Sequence, residues 1–335
     1  MRLLIVRLSS LGDIIHTLPV AAAVRGTFPE ARIDWVVDER YRDILDLVPL
    51  IDRRIVLRRR SGSTVGAFWS LVRELRQGRY DVAMDVQGLV KSAVVARLSG
   101  APRIIGFSTA HLREPPAAVF YTEKQDPTGA RHVVDRNLSL AVALGARQAR
   151  WEFPIDVARS DAPARVRHTL GLGSTGRFVI LNPGANWPNK RWPPDRFGVV
   201  ANVLHRRHAL RSAVLWGPAE EAMARAVVES SEGAAAMMPE TTVREVVAVA
   251  HAAALVVSGD TGPLHIAAAL GTPVVGIYGP TDPARNGPWS TADVVVSRYD
   301  SCGCPFRRSC HRRDWCVADI MPDEVVTAVE RRLGC

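Results

Sequence analysis

The sequence predicts an α/β fold of two doubly wound halves, each with a mostly parallel sheet and helices on both faces. Short apolar runs alternate with helix-like segments as far as residue 144, and the same alternation resumes at residue 178. Strands that alternate with helices in this way are typical of parallel sheets. The length of 335 residues also suits two domains better than one.

The stretch at 145–176 separates the two halves. It is rich in Arg, Ala, Gly and Pro, which favours a linker with a lead-in helix. We therefore predict an N-terminal Rossmann-like domain at 1–160 and a C-terminal one at 161–335, whose last helix can pack back on the N-terminal domain. Ligands of open α/β sheets bind at the carboxyl ends of the strands, so two such halves are expected to bind ligands in a crevice between them.

The first half begins with a continuous apolar run at 3–6, typical of a strand buried on both faces. Further strands are predicted at 33–37, 54–57, 82–86 and 103–107. Helices are predicted at 14–25, 41–47, 65–76, 89–98 and 132–144. Prolines interrupt the segment 114–131, which is therefore predicted to be a surface loop.

The second half repeats the alternation without a detectable sequence repeat. Its predicted strands are 178–181, 213–216, 255–257, 274–277 and 294–296. Its predicted helices are 194–208, 219–230, 243–251, 263–270 and 323–333.

Charge and composition narrow the classes of partner. The net charge is +9, almost all of the cations are arginine, and the lysines are Lys91, Lys124 and Lys190. This balance favours anionic partners, but no nucleic-acid-binding motif occurs, so nucleic acid is not expected. The start of the chain does not read as a signal peptide, and no apolar run approaches the ~20 residues of a membrane span. We therefore expect a cytoplasmic protein.

A glycine-rich motif at 171–176 is not interpreted as a dinucleotide-binding site, because the elements around it are in the wrong order. Gly171-Leu172-Gly173-Ser174-Thr175-Gly176 matches G-x-G-x-x-G, but a helix-like stretch precedes it and a strand follows. The dinucleotide fingerprint needs the reverse order. The segment is better interpreted as a helix C-cap followed by a glycine-rich loop.

Two segments of the first half follow strands and therefore lie at the predicted ligand edge. In the segment 9–13, Ser10 and Gly12 permit a sharp turn and Asp13 opens a helix. Taken alone, Asp13 is best interpreted as a helix cap. It can also be a general base that takes the proton of an attacking hydroxyl, and the two roles are not exclusive. His16 lies one turn on, where it can orient Asp13, touch substrate or be purely structural.

The second of these segments, 85–92, contains Gln87, Gly88 and Lys91. Because lysine is rare in this chain, we favour an anion contact for Lys91 over an ordinary solvated position.

Two segments of the second half favour a phosphate site. Asn182, Gly184 and Lys190 follow its first strand; Gly184 lets backbone approach a ligand and Lys190 can hold a phosphate. In the segment 258–265, Thr261, Gly262 and Pro263 precede a helix whose free N–H groups and dipole suit an anion. Thr261 can add a hydroxyl donor and His265 lies one turn in. Asp260 would repel phosphate, so we expect it to cap the helix or pair with Lys190.

Three further features are weaker. The segment 278–283 is predicted to line a nucleotide pocket or to be a plain turn. Glu220 and Glu221 follow Trp216-Gly217-Pro218. A glutamate there, for which we select Glu221, can bind ribose hydroxyls, although an exposed helix start rich in glutamate is an equally ordinary interpretation. A cysteine cluster near the C-terminus could hold zinc, but its spacing is not a standard zinc-finger one and arginines crowd it, so a reduced or redox-sensitive loop is favoured over a metal site. The cluster consists of Cys302, Cys304, Cys310 and Cys316, with His311 beside it.

Taken in order, these segments resemble glycosyltransferase family 9, the heptosyltransferases of bacterial lipopolysaccharide inner-core synthesis. The opening segment 1–13 is similar to the family's start, and 260–265 and 279–283 to its C-terminal signature. Gln87-Gly88-Leu89-Val90-Lys91-Ser92-Ala93 is similar to the heptosyltransferase I type, as are 113–115 and 120–121. The cysteine-rich tail is more similar to heptosyltransferase II.

The resemblance implies a GT-B fold, an ADP-heptose donor in the C-terminal half and a Kdo-bearing lipid A acceptor in the N-terminal half. It implies inversion at the anomeric carbon with no obligatory metal, and we expect no cofactor. Asp13 would be the base, Lys190 a contact to the donor phosphate, and Thr261, Gly262 and His265 would surround the diphosphate. On the acceptor side we assign Ser10, Gly12, His16, Gln87, Lys91 and Arg113.

The sequence leaves other functions open. They are a nucleotide-sugar epimerase or hydrolase on the same fold, a nicotinamide-dependent enzyme, and a non-catalytic nucleotide-sugar-binding protein. We expect a monomer that can contact the inner-membrane surface, because basic residues cluster at 53–60.

Overall fold

A computed structural model describes residues 1–58, 64–147, 150–310, 312 and 315–335, and their side chains except those of 64, 65 and 67. The chain divides into two compact units, Met1–Asp156 and Val157–Cys335. Each unit contains one six-stranded, all-parallel sheet. The predicted fold class of two doubly wound halves is confirmed.

The first unit has the strand order β3-β2-β1-β4-β5-β6. The strands are β1 Arg2–Val6, β2 Arg32–Asp38, β3 Arg53–Leu57, β4 Val82–Asp85, β5 Arg103–Phe107 and β6 Glu123–Gln125. The helices are α1 Leu11–Ile15, α2 Leu18–Thr27, α3 Arg42–Leu45, α4 Thr64–Gln77, α5 Val90–Leu98 and α6 Val133–Leu144, with 3₁₀ turns at Glu39–Tyr41, Thr109–His111 and Pro115–Phe120.

The second unit has the order β12-β11-β10-β7-β8-β9, which is the same topology. Its strands are β7 Phe178–Asn182, β8 Arg211–Val214, β9 Ala235–Met237, β10 Leu255–Gly259, β11 Val274–Tyr278 and β12 Val294–Ser297. Its helices are α7 Ala162–Thr169, α8 Pro194–His208, α9 Glu221–Ser230, α10 Val243–Ala252, α11 Gly262–Ala269, α12 Pro283–Asn286 and α13 Pro322–Leu333, with 3₁₀ turns at Pro188–Lys190 and Cys316–Asp319.

The strand order explains where the candidate functional segments lie in each unit. The order reverses between β1 and β4 in the first unit and between β7 and β10 in the second. At such a switch point the loops after the two neighbouring strands diverge and leave a ligand crevice. The segments 9–13 and 85–92 follow β1 and β4, and the segments 182–190 and 258–265 follow β7 and β10. Each unit therefore has its own candidate site at its own switch point.

The central strands of both sheets are buried on both faces. All residues of β7, β10 and β11 are buried, and so are the residues of β1 from Leu3 onward. Continuous apolar runs are the expected sequence of such strands. Within the described residues, no helix is long and apolar enough to cross a membrane.

The structure differs from the predicted elements in several places. The helix predicted at 14–25 is two helices, because Pro19 lacks the N–H that would bond back into α1 and Thr17 is the N-cap of α2. Strands β6 and β9 have three residues each and were not predicted. The last helix, α13, packs against α8 and β12 within the second unit.

The glycine-rich segment at 171–176 is a loop, as predicted. It follows α7, and Gly171 has φ +66° just beyond the C-cap Leu170, before strand β7 begins at Phe178. The helix–loop–strand order leaves no dinucleotide fingerprint there.

Candidate active site

In the first unit, the loops after β1 and β4 are tied together. Leu8 donates its backbone N–H to the side-chain oxygen of Gln87 at 2.7 Å, and Arg7 donates Nη1–H to the carbonyl of Val86 at 2.7 Å. Gln87, predicted to contact acceptor, therefore uses its oxygen to join the two loops. The two segments singled out from the sequence form one surface at the switch point.

Asp13 lies at the centre of this surface. Its Oδ2 accepts from the N–H of Ser10 at 3.0 Å and from the hydroxyl of Ser10 at 2.8 Å, and its Oδ1 is 2.6 Å from Nη2 of Arg7. The bond from the Ser10 N–H is one half of a capping box, so Asp13 does cap the helix. A carboxylate has about four acceptor positions and 39% of this side chain is exposed, so it can still accept one more hydrogen bond.

The surroundings of Asp13 keep it ionised. Burial alone would raise its pKa, but the guanidinium of Arg7, the hydrogen bonds from Ser10 and the charge of His16 lower the pKa from 3.8 to about 2. The folded-state pKa lies below the unfolded one, so the ionised carboxylate stabilises the fold above pH 3.8 and this contribution is lost as the pH falls towards 2. At neutral pH Asp13 is a carboxylate and cannot act as an acid.

Arg7 is expected to control the ionisation of Asp13. Replacing Arg7 with methionine removes the cation while burial still opposes the negative charge, so the pKa of Asp13 should rise. In the wild type, Asp13 should add no acidic limb to the pH profile of kcat/KM near neutrality. In Arg7→Met such a limb should move up in pH. Unchanged pH profiles for the two proteins would contradict this assignment.

A buried carboxylate shapes the second loop. Asp85 is fully buried and accepts hydrogen bonds from the backbone of Gln87 and Gly88 and from the hydroxyls of Ser92 and Tyr121. Burial raises its pKa despite these four bonds. Gly88, at φ +71°, takes the left-handed conformation that the turn requires. No local sequence pattern indicates the contact of Asp85 with Tyr121, because the two residues are 36 positions apart.

The other predicted acceptor-side residues have different surroundings. Lys91 and Arg113 are exposed, as a ligand contact requires, and Ser10 is exposed while Gly12 is buried. His16 is 3% exposed and packs edge-on against His132, so it leaves little surface for an acceptor.

In the second unit, an amide and two hydroxyls join the ends of β7 and β10. Nδ2 of Asn182 donates to the hydroxyls of Ser258 at 2.8 Å and Thr261 at 2.9 Å. Asn182, predicted to bind donor, is 4% exposed and instead fixes the position of Thr261. Thr261 is the N-cap of α11, and its side chain accepts no capping bond. The first turn of α11, with Pro263, keeps the unpaired N–H groups that a phosphate can use.

Lys190 and Asp260 form a buried ion pair. Nζ of Lys190 is 2.6 Å from Oδ2 of Asp260, and Nε2 of His265 is 3.0 Å from Oδ1 of the same carboxylate. Burial would raise the pKa of Asp260, but Lys190 and His265 together lower it far below its ordinary value. The expected pairing of Asp260 with Lys190 is confirmed. His265, 3% exposed, lies against Asp260.

The ammonium of Lys190 is fixed on two sides. It lies 4.7 Å from the ring centroid of Trp187 as well as against Asp260. An ammonium has three N–H donors, and Asp260 takes one. With 14% of its side chain exposed, Lys190 can direct another donor to an anion.

A second carboxylate lies at the ends of β7 and β8. A Cβ on Gly184 would come 2.3 Å from the Glu220 carboxylate, and Gly217 donates its N–H to Glu220 at 2.9 Å. Gly184 is therefore required for the close approach of Glu220. Glu221, which we had selected, is exposed on α9 and pairs with Arg225 one turn on. The carboxylate that lies at this edge of the sheet is that of Glu220.

The cysteine-rich segment packs beside this site. Asn189 donates to the carbonyl of Arg307 at 2.7 Å, and Phe306 donates its N–H to the carbonyl of Pro280 at 2.7 Å. Burial raises the pKa of Cys316 to about 12. No group of three or more potential metal ligands occurs among the residues with described positions, which include the four clustered cysteines. His311 lies outside that set.

Comparison with known proteins identifies the family of this chain. The sequence model of glycosyltransferase family 9 (heptosyltransferase) matches residues 68–316. Lipopolysaccharide heptosyltransferase 1 of Salmonella typhimurium is 33% identical over 302 residues, covering 86% of this chain and 91% of that protein.

Solved structures match over similar lengths. E. coli heptosyltransferase WaaC with ADP has a TM-score of 0.80 and 27% identity, covering 99% of this chain and all of that one. The same protein with ADP-2-deoxy-2-fluoro heptose has a TM-score of 0.73 and 29% identity, covering 88% of this chain and 93% of that one. The chain therefore belongs to glycosyltransferase family 9, the heptosyltransferases, and is a glycosyltransferase with the GT-B fold.

Proposed function

We propose that this protein transfers heptose from ADP-heptose to a hydroxyl of Kdo-bearing lipid A in lipopolysaccharide synthesis, with inversion at the anomeric carbon. The observation that carries the proposal is the Lys190–Asp260–His265 cluster beside the N-terminus of α11. An ammonium, a threonine hydroxyl and unpaired helix N–H groups form a binding surface for a diphosphate.

The donor assignment has independent support. WaaC of E. coli has been solved with ADP and with ADP-2-deoxy-2-fluoro heptose, and it matches this chain across both units. In the proposed complex the diphosphate contacts Lys190, Thr261 and Gly262. Charge that develops on the leaving ADP is stabilised by Lys190 and by the dipole of α11. Asp260 and His265 position the ammonium and do not themselves bind the phosphates.

The acceptor assignment uses the first unit. Asp13 accepts the proton of the acceptor hydroxyl as this oxygen bonds to the anomeric carbon. A carboxylate with a pKa of about 2 is a weak base, so the proton moves late, when the oxygen already carries positive charge. Lys91 and Arg113 are exposed cations that can contact the anionic groups of the acceptor, and such a lipid-linked acceptor places the enzyme at the inner-membrane surface.

Glu220 is proposed to hold the ribose of the donor. Glu220→Gln should raise the KM for ADP-heptose about tenfold or more, because hydrogen bonds to a charged group contribute roughly 1.5–3 kcal/mol. The matched control is Glu221→Gln, the neighbouring exposed residue, which should leave KM within about twofold. Steady-state kinetics with varied donor measures both. Equal effects of the two substitutions would contradict the assignment.

Nucleotide binding tests the donor class directly. Calorimetric titration with ADP, UDP and GDP should give the tightest binding for ADP, and Lys190→Met should weaken it. Preference for UDP or GDP would overturn the ADP-heptose assignment while leaving the transferase assignment intact.

A further inference from the structure

One face of the first unit is both basic and apolar, and the proposed reaction does not use most of it. The elements α4, α5 and the 3₁₀ turn Pro115–Phe120 pack side by side on one face of the sheet. Their inner residues, including Leu71, Leu75, Ala93 and Ala117, share one hydrophobic cluster with the strands. The outward-facing residues of α4 form what we call the α4 face: Phe68, Trp69, Ser70, Arg73 and Arg76.

The apolar part of the α4 face is unusual for an exposed surface. Trp69 is 60% exposed and Phe68 is 38% exposed, and their rings pack edge to face at 5.8 Å. Of the described aromatic side chains, Trp69 is the most exposed. Tryptophan is enriched where an apolar ring meets a wet, polar boundary, as at the surface of a membrane.

Two cations lie on the same side of α4 as Trp69. Arg73 and Arg76 are four and seven positions after Trp69, which places them on the same side of the helix. Both are exposed, and neither is ion-paired with any part of the chain that the structure describes. From residue 53 to residue 79 the sequence contains eight arginines and one acidic residue, Glu74, which pairs with Arg53.

We propose that the α4 face docks on a bilayer surface that carries anionic lipid headgroups, with Trp69 in the headgroup boundary and Arg73 and Arg76 against the phosphates. A helix with exposed aromatic residues beside arginines binds such a surface by both apolar burial and charge. A second copy of this chain fits less well, since a symmetric contact would press the same basic patch against itself.

Vesicle sedimentation tests the proposal with the full-length protein. Wild type should bind vesicles of phosphatidylcholine mixed with phosphatidylglycerol, should bind pure phosphatidylcholine weakly, and should be released by salt. Trp69→Ser should lower the partition coefficient about tenfold. Arg73→Gln with Arg76→Gln should lower it about thirtyfold, the combined effect of two cations near an anionic surface.

The matched controls lie at the end of α6 in the same unit. Val142, 53% exposed, and Arg147, also exposed, are replaced singly by serine and glutamine, and both variants should bind vesicles as wild type does. All variants should keep wild-type transfer to a detergent-dispersed acceptor, which separates docking from the proposed reaction. Wild-type vesicle binding by the α4 variants would overturn the proposal. So would loss of a concentration-dependent dimer in Trp69→Ser with vesicle binding unchanged.

Discussion

Asp13→Asn is expected to lower kcat for transfer by about 10²–10⁴-fold, the usual contribution of a positioned base. Asparagine keeps the size of the side chain and can still accept from Ser10, so the capping box is largely preserved. It has no charge with which to take a proton. The KM for donor should change little, because Asp13 lies in the first unit, in the loop after β1, whereas the proposed donor contacts lie in the second unit.

This substitution also leaves Arg7 without its ion-pair partner, and the Arg7 side chain is only 8% exposed. An uncompensated buried charge destabilises a protein, so Asp13→Asn alone should lower the melting temperature. The double variant Arg7→Met with Asp13→Asn removes both charges and should recover part of that stability. Turnover should stay low in the double variant and be largely retained in Arg7→Met alone.

The two single variants and the double variant distinguish the role of Asp13 as a base from its role as a helix cap. If Asp13 were only a helix cap, Asp13→Asn would reduce thermal stability and leave turnover near the wild-type value. Recovery of turnover in the double variant would likewise contradict the base assignment, because it would trace the defect to unpaired Arg7.

Lys190→Met is expected to lower kcat by about 10²–10³-fold, as for removal of one group that stabilises charge in a transition state. The same change removes the ammonium partner of the buried Asp260, which should cost about 3–5 kcal/mol of folding stability. Thermal denaturation and ADP titration should be measured alongside the kinetics.

A double variant that removes both charges of the ion pair separates the effect of Lys190 on kcat from its effect on stability. Lys190→Met with Asp260→Asn replaces the buried ion pair by neutral groups and should regain stability, yet kcat should stay low. Lys190→Arg keeps a cation but not the compact ammonium, so intermediate activity is expected. A compensated variant with wild-type kcat would show that Lys190 is needed for folding and not for leaving-group stabilisation.

Much of the fold could be predicted because its strands are short, apolar and buried on both faces. The run at 3–6 and the strands that became β7, β10 and β11 show this pattern plainly. Strands β6 and β9 have only three residues, and Glu-Lys-Gln and Ala-Ala-Met carry no strand signal. The break between α1 and α2 was signalled by Pro19, which the predicted helix at 14–25 overlooked.

The site segments could be predicted because ligand-binding residues lie in the loops that follow the strands at a switch point. The partners of individual side chains could not be predicted in this way. The Lys190–Asp260 pair was inferred from the conflict between a carboxylate and a phosphate. The role of Arg7 was missed, since nothing local distinguishes it from many other arginines. The sequence does not distinguish Glu220 from Glu221, because the two adjacent glutamates differ only in which one approaches Gly184.

Transfer assayed with purified protein, ADP-heptose and Kdo-bearing lipid A tests the central claim most directly. The predicted result is a heptosylated lipid product of inverted anomeric configuration, with ADP released in equal amount and only when acceptor is present. Release of ADP without acceptor, or a product that retains the donor configuration, would contradict it.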